Sequence, residues 1–322
     1  MKFLCLETTD PYRNLAIEEY LFLHSEDDVL ILWQNEPTVV IGKNQNAYAE
    51  IALDVLRSRG VHVARRITGG GAVYHDLGNV NYSLIATGQG DLDFAYFTAP
   101  MIRALESLGV HAELSGRNDL LVDGKKISGS AQHASGNRVL HHGTLLFDSD
   151  LEALAAILKV DEEKLRAKSI RSVRSRVTNI RPYLREDCDV HSFIKRLLSY
   201  FQATYALEEL PMPTGEVLEA LCARNRSEEW LFPERELLSH YHLSKKQRYP
   251  FGTVEVMLDM QNEILRSVCI QGDFFGTRPI AELEERLKGS RVDELSTRLL
   301  GLDVGAYILG MSAKELIALL RV

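Results

Sequence analysis

Cysteines and long apolar runs are both scarce in this sequence, and each scarcity closes off a class of protein. The four cysteines, Cys5, Cys188, Cys222 and Cys269, form no CxxC pair and no zinc-like spacing. A disulfide framework and a structural zinc site are thereby excluded, and a reducing compartment is indicated. No stretch approaches the roughly 18 apolar residues that span a bilayer. The opening apolar run is too short for a signal peptide before Asp10 and Pro11 interrupt it. Positive charge is also in deficit: 37 Lys and Arg against 45 Asp and Glu give −8 at pH 7. Such a balance brings no general attraction to nucleic acid or to an anionic membrane. The expectation is a cytoplasmic protein that engages neither.

What is present suits a globular enzyme. At 322 residues and 45% hydrophobic content the chain can bury a large core and invites division into two domains. Composition changes at Lys245-Lys246-Gln247-Arg248-Tyr249-Pro250, which places domains at 1–247 and 251–322. Apolar patterning predicts a strand over 2–6, a helix over 14–23, and paired strands over 27–33 and 38–41. A helix over 48–58 ends at Gly60, and the strand 61–66 alternates as a half-buried strand should. Strand 80–86 precedes a helix capped by Thr98 with Pro100 in its first turn. Strands 112–114, 119–122, 125–130 and 138–147 follow, with Asp123-Gly124 as a hairpin turn. A short helix over 151–158 leads into a more helical region. Beyond the boundary, 252–259 and 264–270 read as a hairpin, followed by helices over 279–287 and 292–300. Ser312-Ala313-Lys314-Glu315 has the form of a capping box. This small C-terminal core is expected to pack on the first domain.

One stretch carries most of the chemical signal: Arg65-Arg66-Ile67-Thr68-Gly69-Gly70-Gly71-Ala72-Val73-Tyr74-His75-Asp76. Three adjacent glycines are entropically costly to order. They suit either a turn between strands or a backbone on which a ligand lies directly. Two further groups stand out. Gly116-Arg117-Asn118-Asp119 precedes Lys125-Lys126-Ile127-Ser128-Gly129-Ser130, where lysines mark either a solvated hairpin tip or a waiting anion. His141-His142-Gly143-Thr144 enters an apolar strand, as structural residues or as part of a site. Lys164, Arg166, Lys168, Arg171, Arg174, Arg176 and Arg181 form a basic patch: a solvated face, a linker, or a mobile loop closing over phosphates. The phosphate-loop, dinucleotide, GxSxG and HExxH patterns do not fit.

In order along the chain, RRITGGGAVYHDLGNVNYS, GRNDLLVDGKKISGSAQ, HHGTLLF and SIRSVRSRVTNI resemble the lipoate–protein ligase A family. IQGDFFG resembles the signature of the C-terminal accessory domain in bacterial members. The resemblance implies an α+β fold: a biotin/lipoate-ligase-like mixed-sheet catalytic domain and a small α+β C-terminal domain. It implies activation of lipoate with ATP and Mg²⁺ to lipoyl-AMP, then acylation of a lysine on an acceptor. The acceptors implied are lipoyl domains of 2-oxoacid dehydrogenase acyltransferase subunits or the glycine-cleavage carrier protein. Carried over residue by residue, Lys126 would hold the lipoate carboxylate and then the acyl-phosphate. Arg66, Gly71, Ala72, Val73, Tyr74, Asn118 and Asp119 would meet ATP or the adenylate, with Asp119 also at Mg²⁺. Gly70, His75, Ser128 and His142 would shape the lipoate pocket, and Arg171 to Arg176 would close over the adenylate. The alternatives are a cysteine-type octanoyltransferase, a transferase of preformed lipoyl-AMP and a biotin ligase. The first is disfavoured because no cysteine lies between Cys5 and Cys188.

Overall fold

The computed structural model describes residues 1–87, 92–157, 176–233 and 241–321. In chain order its strands are β1 (Lys2–Cys5), β2 (Val29–Trp33), β3 (Thr38–Ile41), β4 (His62–Arg65), β5 (Val73–His75), β6 (Asn79–Thr87), β7 (Glu113–Ser115), β8 (Asp119–Val122), β9 (Lys125–Ser135), β10 (Arg138–Leu146), β11 (Glu208–Glu209), β12 (Leu243–Tyr249), β13 (Gly252–Gln261) and β14 (Ile264–Gly272). Among the described residues they make an eight-stranded mixed sheet in the order β11-β1-β2-β6-β10-β9-β8-β7 and two three-stranded sheets, β4-β3-β5 and β12-β13-β14.

The period-2 alternation of strand side chains explains how the large sheet is covered. Leu30 and Leu32 of β2 point to one side, into a core with Phe97 and Met101 of helix α1 (Phe94–Ser107) and Phe193 and Phe201 of helix α2 (Val190–Thr204). Val29, Ile31 and Trp33 point to the other, towards Leu15 and Phe22 of the helix Pro11–His24 and Leu218 of the helix Glu216–Arg226. The small sheet β4-β3-β5 lies on that second side, since Val40, Ala64 and Val73 join the same cluster. Val39, Ile41 and Tyr74 turn outward into a separate cluster.

Several local expectations change. The strands over 27–33 and 38–41 are not partners: β2 pairs with β1 and β6, and β3 pairs with β4 and β5. Both are buried along their whole length. They lie in different sheets, and this separation leaves space between the two layers. The helix over 48–58 is two short helices, Ala47–Glu50 and Leu53–Arg59, interrupted at the buried Ile51. Asp93 rather than Thr98 caps α1, accepting from Tyr96 N at 2.9 Å. Pro100 therefore sits inside the helix rather than in its first turn. The turn at Asp123 and Gly124 has φ of 50° and 71°, as a tight hairpin requires.

The C-terminal residues form their own core. Val254, Val256 and Leu258 of β13 pack with Leu283 and Leu316 from the helices Ile280–Leu287 and Ala313–Leu320. The capping box at Ser312 is complete, with both reciprocal bonds to Glu315. The stretch read as a boundary is itself β12, paired to β13 from Leu243 to Tyr249. A division at 247–251 thus falls at the end of that strand and in the turn beyond it. The C-terminal part does pack on the rest: Phe275 is fully buried with Phe94 and Ala131. Gly272 N donates to Asn44 O at 2.8 Å, and Gly70 N to Phe274 O at 3.3 Å.

Candidate active site

Between the large sheet and β4-β3-β5 lies a cavity of about 120 Å³. The large sheet supplies Trp33, Asn81, Lys126, Gly129 to Ala131 and His142 to Thr144, and the small sheet supplies Val40, Val73 and His75. The glycine run closes one side through Gly70, Gly71 and Ala72, with Arg66 beneath it and Asn118 at the rim. Residues far apart in sequence meet here because β9 and β10 are neighbours, with Ala131 opposite His142 and Ser130 opposite Gly143.

Lys126 Nζ lies 2.7 Å from Asp119 Oδ1, and both side chains are about one third exposed. Its backbone is fixed as well: Lys126 N donates to Arg176 O at 2.7 Å, and Thr178 N donates to Lys126 O at 2.9 Å. The basic segment expected to cover the site therefore ends against this lysine. Lys164, Arg166, Lys168, Arg171 and Arg174 lie outside the described residues. Arg181 bonds Asp148 and Asp187 on the surface. Asn118 is locked onto β9 by its Nδ2 bond to Ser130 O at 2.6 Å.

Arg66 is buried and its donors go to the loop and to β3. Nε donates to Thr68 Oγ1 at 2.9 Å, Nη1 to Val40 O at 3.0 Å, and Nη2 to Gly69 O and Gly71 O at 2.7 and 2.8 Å. Burial lowers its pKa to about 10, so the guanidinium remains charged. By holding these carbonyls, Arg66 fixes the shape of the glycine run. β5 is an edge strand, paired on one side to β3. Nothing lies within 4 Å of where a Gly71 side chain would start. Backbone groups along this edge are thus open to a ligand. Tyr74 is absent from the cavity wall, and its ring packs into the outer cluster. Ser128 is buried in β9 and is absent from the cavity wall.

A buried acid not anticipated from the sequence completes the site. Glu18 accepts from His142 Nδ1 at 2.9 Å and from Ser83 Oγ at 2.5 Å. His142 Nε2 in turn accepts from Thr68 Oγ1 at 2.9 Å. An unbroken chain of hydrogen bonds thus runs from Glu18 through His142 and Thr68 to Arg66. Glu18 had a readable signal: it shares one face of its helix with the apolar Leu15 and Phe22. Arg117, in the same motif as Asn118 and Asp119, stacks on Phe275 at 4.2 Å and donates to Phe251 O. No cysteine lines the cavity. Burial raises the pKa of Cys5 to about 11 and also raises those of Cys188 and Cys222.

A cation facing a glycine-floored, partly apolar cavity suits the activation of an acid, and comparison decides the family. Residues 10–202 match the lipoyl protein ligase A/B catalytic domain, and residues 239–320 match the bacterial lipoate protein ligase C-terminus. The chain belongs to the lipoate–protein ligase family. The lipoate-protein ligase LplJ of Bacillus subtilis is 40% identical over 296 residues, 88% of each chain. The crystal structure of P. falciparum LipL1 in complex with lipoate superimposes with a TM-score of 0.79, covering 99% of this chain and 98% of that one. At 22% identity that likeness shows the fold. A crystal structure of lipoate-protein ligase A bound with ATP is 29% identical, with a TM-score of 0.60 over 72% of this chain and 98% of that one. This chain is therefore a ligase of mixed α+β fold. Among its described residues no helix is long and apolar enough to cross a membrane.

Proposed function

We propose that the ligase activates lipoate with ATP to lipoyl-AMP, releasing pyrophosphate, and passes the acyl group to a lysine of an acceptor lipoyl domain. Lys126 carries this reading: a one-third-exposed ammonium that lines the cavity together with the glycine run. Attack of a carboxylate on an α-phosphate brings two anions together, and a cation between them offsets their repulsion. At 4 Å and an effective dielectric near 20 one such pair contributes about 4 kcal/mol before desolvation. In this reading Lys126 leaves Asp119 for the lipoate carboxylate and then for the acyl-phosphate oxygens. Gly71 to Tyr74 offer backbone along the adenylate, Arg66 holds that backbone in shape, and Asn118 marks the phosphate end. The acyl chain runs inward past Gly70 and His142 to His75, and Ser128 supports the strand from behind.

Asp119 is the acid next to Lys126, and a single carboxylate together with phosphate oxygens suits Mg²⁺. Asp119 would hold the ion, whose charge would offset that of the phosphates. The described residues contain no cluster of three acids, histidines or cysteines that could hold a metal without the nucleotide. The C-terminal sheet with its helices is the accessory part, and residues 1–247 carry the site. A cysteine-type octanoyltransferase lacks support, because no thiol reaches the cavity. Acceptors of the kind implied are the lipoyl domains of 2-oxoacid dehydrogenase acyltransferases or the glycine-cleavage carrier protein.

The test is lipoate-dependent exchange between ATP and pyrophosphate. Wild-type protein is expected to catalyse it, and Lys126→Ala to lose it while keeping its circular dichroism and melting transition. Acyl transfer from an acyl-carrier protein without exchange would overturn the reading in favour of an octanoyltransferase. Transfer from synthetic lipoyl-AMP without exchange would favour a transferase.

A further inference from the structure

The deep end of the cavity presents Leu15, Trp33 and Val40 with two polar neighbours, His75 and Asn81. A histidine is an odd wall for an alkyl chain, and its hydrogen bonds show which nitrogen is committed. Asn14 Nδ2 faces Gln34 O at 2.8 Å and Thr8 O at 3.0 Å, so that atom is the amide nitrogen. Asn35 turns its Oδ1 to the same Asn14 nitrogen at 3.0 Å, which leaves Asn35 Nδ2 to face His75 Nδ1 at 3.1 Å. His75 Nδ1 must then be an acceptor, and the ring proton resides on Nε2. Burial, with Arg66 and His142 adding to it, lowers the His75 pKa to about 3, so the ring stays neutral. Nε2 is shielded from solvent and meets no hydrogen-bond partner among the described residues. A buried donor left unpaired is costly, and it becomes an asset only if the ligand brings an acceptor.

Resting on the ligase reading, we propose that His75 Nε2–H is a specificity-determining donor for the ring sulfurs of the dithiolane. The acyl group of lipoate carries no other heteroatom beyond its carboxyl end, and sulfur is a weak acceptor able to accompany an apolar wall. Octanoate has the same chain length but offers this donor only methylene groups. A site built around a polar partner rejects the analogue that lacks it more strongly than an apolar pocket rejects a size change. Asn35 acts through His75 as a positioning residue: it fixes the tautomer.

The experiment compares kcat/KM for exchange with lipoate, with octanoate, and with 5-cyclopentylpentanoate, which keeps the ring and replaces both sulfurs by methylene. Wild-type protein is expected to prefer lipoate over the carbocyclic acid by about 5- to 50-fold. His75→Phe, which keeps a ring of similar position without the donor, should bring that ratio to within about twofold. His75→Gln, which keeps an N–H at similar reach, should restore most of it. Equal use of lipoate and the carbocyclic acid by the wild type would overturn the proposal without any variant. An undiminished preference in His75→Phe would overturn it as well. Exchange with octanoate alongside either failure would leave the ligase reading standing, whereas no exchange with any acid would remove both.

Discussion

Lys126 reaches Asp119 by lying across Gly129, where a Cβ would meet Lys126 Nζ at 2.8 Å and Cε at 3.0 Å. The absence of a side chain at 129 is what gives the lysine its path over β9 to the cavity rim. Gly129→Ala should therefore push the lysine aside rather than disturb the strand, because the flexible tip of a long side chain yields first. Exchange is expected to fall by about 10- to 100-fold with stability changed by less than about 1 kcal/mol. Steady-state kinetics beside a urea titration would check it, and a large loss of stability would contradict the geometry.

Neighbouring glycines of the run should respond differently. A methyl at Gly69 would strike the carbonyl oxygen of Phe274, a backbone atom at the end of the C-terminal sheet, whereas Gly71 faces open space. Gly69→Ala is expected to cost about 1–3 kcal/mol and to loosen the C-terminal part. Gly71→Ala should stay within about 0.5 kcal/mol of wild type and instead raise KM for ATP. Thermal melts and exchange kinetics on the pair separate the two roles.

Glu18 is buried with His142 and Ser83 bonded to it, and it favours the charge on the buried Arg66. Glu18→Ala would strand those donors and leave Arg66 without that neighbouring anion. A loss of about 3 kcal/mol is expected, and a smaller one of about 1 kcal/mol for Glu18→Gln, which keeps an acceptor. Denaturant titrations would measure both. An alanine variant as stable as wild type would show that the hydrogen-bonded chain to Arg66 contributes nothing.

Acid should destabilise the fold through its neutral histidines. Burial lowers the pKa of His75 and His141 to about 3 and that of His133 to about 4, from an ordinary value of 6.5. Below 6.5 the unfolded chain takes up protons that the folded chain refuses, so stability falls as pH falls and is flat above that value. Each histidine contributes about 1.4 kcal/mol per pH unit well below 6.5, or about 6 kcal/mol for the three between pH 7 and pH 5. Denaturation midpoints across that range would test it. His141→Phe should flatten the slope by about a third, because one of the three groups is gone.

The sequence by itself determined the local elements and the chemical parts. Alternation marked the strands around Arg66, Lys126 and His142, the Asp123-Gly124 turn set the β8–β9 hairpin, and the ordered motifs named the family. Tertiary structure decided which parts face one another. β2 and β3 read as a hairpin because a short linker joins two apolar runs, yet each is buried on both faces and the cavity lies between their sheets. Glu18 lies in a helix more than a hundred residues before the histidine it holds, and Phe275 reaches Gly70 from the far end of the chain. Periodicity reports which face of an element is apolar; it carries no record of the partner that covers that face. Only packing supplies that, and only packing showed that Arg66 spends its donors on the glycine run while His75 keeps one in reserve.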